Sequence, residues 1–140
     1  MTAKEYLSQI RKSDNQINNK LAEISRLREM AMSITSTLKE DVVQTSGNGD
    51  KLADTIAKIV DLENEINADV DKLVDLKKEI MGVIDRLQEP FCDLLYKRYF
   101  QFMKWEEIAV AMHYTYQWVC ELHGQALLKV KELIEIDIEK

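Results

Sequence analysis

One proline and four glycines in 140 residues give this chain few places to turn. An all-β sandwich or barrel needs turn residues at intervals of about ten, so the composition argues against that class. Collagen-like and linker-rich chains are excluded by the same shortage. The two cysteines, Cys92 and Cys120, form no CxxC, which excludes a disulfide framework and a cysteine-based zinc site. No stretch of about 18 apolar residues occurs. The opening MTAKEYLSQIRKSDNQ lacks the apolar centre of a secretory leader. A cytoplasmic protein with no membrane partner is therefore expected. The only histidines are His113 and His123, and no Ser/His/Asp set, HExxH or phosphate-binding glycine loop is present. Neither an enzyme, nor a metal site, nor a cofactor is expected.

Charge is unevenly spread. The formal net charge is −6, which argues against bulk attraction to nucleic acid. Residues 45–89, however, hold 6 basic and 11 acidic groups, whereas residues 1–44 hold 7 and 6. Residues 90–131 hold 5 basic and 4 acidic groups, ahead of an acidic tail of Glu132, Glu135, Asp137 and Glu139. The sum therefore does not exclude a basic surface near the C-terminus.

Two long helical patterns fill the first two-thirds. In the first, Ile10, Ile17, Ile24, Ala31 and Leu38 recur every seven residues, and Leu7, Asp14, Leu21, Arg28 and Thr35 are their companions. Such a narrow stripe is a coiled-coil signature, broken here on its companion side. Ser13-Asp14-Asn15 offers a point where a fresh helix can start. The second pattern is cleaner: Leu52, Ile59, Ile66, Leu73, Ile80 and Leu87 repeat without exception, so a helix over 51–87 would be about 55 Å long. Between the two, residues 44–50 (Gln-Thr-Ser-Gly-Asn-Gly-Asp) read as a helix stop and turn. An antiparallel hairpin follows, and the unbroken heptad predicts a homo-oligomer, a dimer or larger, through these N-terminal helices. Asp61, Glu65 and Asp69 stand four apart, a spacing that i,i+4 pairing with Lys58 and Lys72 on a solvated face explains.

Pro90 ends the rod, and the composition changes. Nine of ten aromatic residues fall in 91–118. The expected division is a helical hairpin or coiled coil over 1–89 and a small domain over 90–140. In the latter, residues 91–102 form an amphipathic helix. Residues 105–112 form a short helix, 113–115 a turn, and Thr115 caps a third helix from Tyr116 to about Ile136. Ile108, Met112, Val119, Leu122 and Ala126 are expected to pack. Trp105 and Trp118 read as core or rim aromatics rather than base-stacking groups. Two helices joined by about three residues have the shape of a helix-turn-helix. The fold class is thus all-α, a long antiparallel helical hairpin followed by a small helix-turn-helix.

The string WEEIAVAMHYTYQWVCELHGQALLKV resembles region 4 of sigma-70 factors, with Glu106-Glu107-Ile108-Ala109 in the first helix and Leu94–Tyr99 similar to the helix before it. This match covers about 40 residues. The segment SGNGDKLADTIAKIVDLENEINADVDKLVDLKKEI joined to RYF and WEEIA carries a second likeness. With it the whole chain looks like small phage and prophage proteins of Gram-positive bacteria, related in style to late-operon activators of the ArpU and RinA type. The resemblance implies a transcriptional regulator that places its third helix in the major groove of DNA. Thr115, Tyr116, Gln117, Trp118, Cys120 and Glu121 would then face DNA, with Lys97, Arg98 and Lys104 near phosphates. In that setting Gln117 suits adenine and Glu121 suits cytosine.

The sequence departs from the family pattern at three points. No arginine occurs from 113 to 128. His113 stands where glycine is usual, at a cost of about 1 kcal/mol if φ is positive. Lys104 stands where Ser or Thr would cap, forfeiting about 1 kcal/mol. An alternative expectation is a protein-interaction module that keeps the fold without reading DNA. It would contact host RNA polymerase or a phage partner through the acidic rod or the aromatic face of 114–120.

Overall fold

The computed structural model describes the backbone of residues 1–40 and 45–139, and the side chains of residues 1–37 and 49–136. The protein is all-α, with no strand among the described residues. The helices are α1 (Ala3–Glu40), α2 (Thr45–Ile84), α3 (Phe91–Tyr99), α4 (Trp105–Met112) and α5 (Tyr116–Glu139).

α1 opens with a reciprocal capping box. The Glu5 N–H donates to Thr2 Oγ1 at 3.1 Å, and the Thr2 N–H donates to Glu5 Oε2 at 3.0 Å. It then runs unbroken through Ser13-Asp14-Asn15, so the restart offered by those residues is not used. Here Ile10 and Ile17 are both buried, and packing on either side outweighs a local cap.

The expected turn at 44–50 is corrected. α2 begins at Thr45, so residues 45–50 are helical, and Gln44 lies outside the described residues. Gly47 and Gly49 fall in the opening turns, where several N–H groups have no intrahelical partner anyway and small polar residues are favoured. Likewise α2 ends at Ile84 rather than 87, and α3 ends at Tyr99 rather than 102.

Packing groups the chain into one unit of Asp14–Lys72 and another of Met1–Ser13 with Leu73–Lys140. This differs from a division at residue 89. The first residues of α1 and the last of α2 belong with the C-terminal helices. Leu7, Ile10, Ile80 and Ile84 are fully enclosed there, so the apolar stripe carries on through the change of composition.

In the unit of Asp14–Lys72, the two helical segments run antiparallel. Lys20 pairs with Asp69 at 2.6 Å and Glu65 at 3.4 Å, while Arg28, further along α1, pairs with Glu63 at 2.9 Å. The acidic row is thus met from the facing helix by Lys20. Its ammonium pKa is raised, chiefly by the hydrogen bond to Asp69. Ile17, Ile24, Leu27 and Ile66 make the buried seam, with Thr55 beside it. Its flank leaves Leu21, Ile56, Val60 and Val70 exposed.

In the other unit, α3, α4 and α5 surround Leu94, Ile108, Ala109, Val119 and Leu122. Phe91, Met103, Trp105 and Met112 pack against that cluster from its edges. Of the residues expected to form this core, only Met112 stays half-exposed.

Candidate nucleic-acid interface

The turn between α4 and α5 is built by three consecutive residues. α4 carries Glu106 and Glu107 in its first turn, where carboxylates suit the helix dipole. Lys104 has no side-chain acceptor to cap with. Instead Glu107 Oε1 accepts its backbone N–H at 3.4 Å, one half of a capping box. At the far end His113 adopts φ 62° and ψ 38°, the left-handed conformation that its place in the motif predicts. The Tyr114 N–H donates to Ala109 O at 3.0 Å and the His113 N–H to Val110 O at 3.3 Å. These two bonds form a Schellman motif, which satisfies the last carbonyls of α4. Thr115 then starts α5: its Oγ1 accepts the Trp118 N–H at 3.1 Å, and its carbonyl accepts the Val119 N–H at 3.0 Å.

Because Val119, Leu122 and Ala126 turn inward, the opposite face of α5 points outward. Tyr116, Gln117, Trp118, Cys120 and Glu121 are all exposed on the first turns of α5, as is Thr115 before it. Gly124 continues that face one turn beyond Cys120, with nothing within 4 Å of where a Cβ would stand. A glycine there lets another backbone come close, and no local sequence pattern singles it out. The same face carries no cation from Tyr116 to Leu128.

The three expected phosphate contacts separate. Lys97 Nζ is paired with Asp93 at 2.8 Å, one turn earlier on α3. Arg98 donates to the Met103 carbonyl at 2.9 Å and lies over the Trp105 ring at 4.4 Å, where it ties α3 to the start of α4. Only Lys104 is exposed. Two further cations, Lys4 and Arg11, come from the first turns of α1, and Arg11 lies 5.4 Å from the centre of the Phe102 ring. Nothing in local sequence pattern connects them with residues 98–105, because about 90 positions intervene.

Behind α5 the Tyr99 hydroxyl and His123 Nε2 share a hydrogen bond of 2.7 Å, and Trp105 lies 4.4 Å from the His123 ring. Burial lowers the His123 pKa to about 4, helped by the positive charges of Arg98 and Lys4. Burial raises the Tyr99 hydroxyl to about 12, against the opposing pull of Arg98. Both cysteines are free thiols, Cys92 half-buried and Cys120 exposed. Among the described residues no helix is long and apolar enough to cross a membrane.

No protein-family model matches the chain, and no curated protein or solved structure does so.

Proposed function

We propose that α4 and α5 act as a helix-turn-helix that reads duplex DNA in a phage-type regulator of transcription, with α5 entering the major groove. The observation that carries this reading is the connection itself. A Schellman end at His113 and a Thr115 cap join two helices through three residues and turn Gln117, Cys120 and Glu121 away from the shared core. The geometry suits the docking of a second helix into a groove. Gln117 is the group for adenine and Glu121 the group for cytosine. Such a regulator works in the cytoplasm of a bacterial host. It gains affinity from association of two or more chains through the N-terminal helices, since each copy brings few cations.

A second reading has its own observation. Val110 is 77% exposed on α4, and Trp118 is 42% exposed on α5, with no cation beside them on α5. Aromatic and apolar side chains without cations suit a protein partner, host RNA polymerase or a phage protein, better than a phosphate backbone.

A mobility-shift selection on random duplexes at low salt separates the two. DNA reading predicts a preferred sequence that changes at one base pair in Gln117→Ala and at another in Glu121→Ala. No shift at any concentration up to tens of micromolar sinks it. Purified RNA polymerase retained by wild-type chain and released by Val110→Glu then favours the second reading.

A further inference from the structure

The start of α1 faces the corner between α3 and α4 across a cleft of about 110 Å³. Lys4, Ser8 and Arg11 line one wall, at spacings of four and three that place them on one helix face. Arg98, Phe102 and Trp105 line the other, with Tyr99 behind them. All belong to a single unit, and none lies on α5.

We propose that this cleft binds a phosphoryl group. Three cations converge on it, and no carboxylate lines it. Among the described residues no ion pair to Lys4, Arg11 or Arg98 is formed. Two of them, Arg98 and Arg11, are oriented instead by uncharged groups. The Arg98 guanidinium lies over Trp105 and donates one N–H to the Met103 carbonyl, which leaves further donors free to turn toward the cleft. Arg11 lies over Phe102. An aromatic face attracts a guanidinium without cancelling its charge. Phe102 itself holds φ 58°, an unfavourable backbone state for a residue with a side chain.

The chemistry favours phosphoryl over carboxylate. A carboxylate brings one charge and two oxygens. A phosphoryl group brings up to two charges and three strong acceptors, a closer match to two guanidinium forks and an ammonium. Ser8 adds a hydroxyl donor on the same wall. Burial is the main cause of the lowered His123 pKa, and the nearby charges of Arg98 and Lys4 add to it.

The group has two possible sources, the backbone of a duplex or a free phosphorylated small molecule. The cleft does not depend on α5 reading bases. The test uses the full chain, with Lys4→Ala/Arg11→Ala as the variant. Both side chains are exposed, so the fold is retained, and circular dichroism checks it. Lys77→Ala/Lys78→Ala, which removes equal charge from exposed positions on α2, is the control.

Thermal stability is followed against inorganic phosphate and pyrophosphate, and random-duplex binding against salt. A free-ligand site predicts stabilisation by these anions that Lys4→Ala/Arg11→Ala abolishes and the control keeps. A backbone site predicts that the slope of log affinity against log salt shrinks by about two in Lys4→Ala/Arg11→Ala alone. The proposal is overturned if neither response differs between that variant and wild type, or if the control loses as much. Failure of base preference in the Gln117 and Glu121 variants, with the anion response intact, removes the reading role of α5 and leaves the cleft standing.

Discussion

The two units share α1 and α2, yet they bury side chains differently. Among the described residues, the largest fully enclosed side chains are Leu7, Ile10, Ile80, Ile84, Leu94, Leu95, Ile108, Val119 and Val130, all in the unit of residues 1–13 and 73–140. The unit of Asp14–Lys72 has a seam of Ile17, Ile24, Leu27 and Ile66 in which none reaches that state. The first unit holds all ten aromatic residues, with 12 basic and 13 acidic groups; the second holds none, with 7 and 12. A helix in contact with one neighbour is covered on one side only, so its stripe keeps an open edge. Enclosure needs a third element, and α3, α4 and α5 supply it. Apolar periodicity therefore predicts which residues face inward, and the number of neighbouring helices decides how far they are enclosed.

The largest expected effects follow from that difference. Leu94→Ala removes a fully enclosed side chain from a cluster with Ile108, Val119 and Leu122, and is expected to cost about 3–4 kcal/mol. Ile66→Ala leaves a gap that solvent and neighbouring side chains can partly fill, at about half that cost. Urea unfolding of the two variants measures this directly. Equal losses would break the comparison. Hydrogen exchange adds a second readout, with slower exchange expected in α3 and α5 than in residues 14–37.

A middle-sized effect comes from His123, the half-buried imidazole of the aromatic unit. Its pKa of about 4 in the folded chain is below its ordinary value of 6.5. As pH falls through 6.5 the unfolded chain gains a proton that the folded chain refuses, so stability is fully present above 6.5 and declines toward pH 4. Since the ring is only partly buried, solvent screening reduces the loss to about 1–2 kcal/mol. Tyr99 acts in the opposite direction. Its hydroxyl is held up at about 12, so its share is present below pH 10 and lost as pH rises toward 12. Thermal melts of wild type and His123→Phe between pH 7 and 4 are expected to converge at low pH. Parallel curves would show that the imidazole is not what senses acid, and loss of protection in residues 14–37 over the same range would place the acid response outside the aromatic unit.

Much of this was legible in sequence, for local reasons. The three-residue turn followed from its place between two helical patterns and from Thr115, whose hydroxyl caps α5; the left-handed state of His113 follows from its place in the motif and not from its residue type. The packed positions Ile108, Val119 and Leu122 followed from helical spacing. The Thr2–Glu5 capping box is equally legible, since a threonine followed three residues later by glutamate is its signature. The start of α2 at Thr45 was less legible, because Gly47 and Gly49 suit a helix stop as well as an opening turn, where glycine costs little. Lys20 as the partner of Asp69, and Lys4 and Arg11 as neighbours of Arg98 and Trp105, were not legible at all. Each depends on which distant segment lies alongside, and periodicity gives a face without giving its neighbour. The surroundings of the candidate phosphate contacts were hidden for the same reason: Asp93 pairs with Lys97, and Trp105 with the Met103 carbonyl orients Arg98.

The smallest expected effect tests the turn. His113 keeps φ 62° with its side chain exposed, so nothing in its surroundings repays the backbone cost of about 1 kcal/mol. His113→Gly removes that cost, but it also frees the unfolded chain, which offsets part of the gain. A net stabilisation of about 0.5 kcal/mol is expected, read as a small rise in the urea midpoint with an unchanged slope. The change should slow exchange in α4 and α5 and leave residues 14–37 as they were. Destabilisation by His113→Gly would mean that the imidazole makes a contact that holds the corner together. The left-handed state would then be compensated locally, and the α4–α5 turn would depend on this side chain as well as on its backbone bonds.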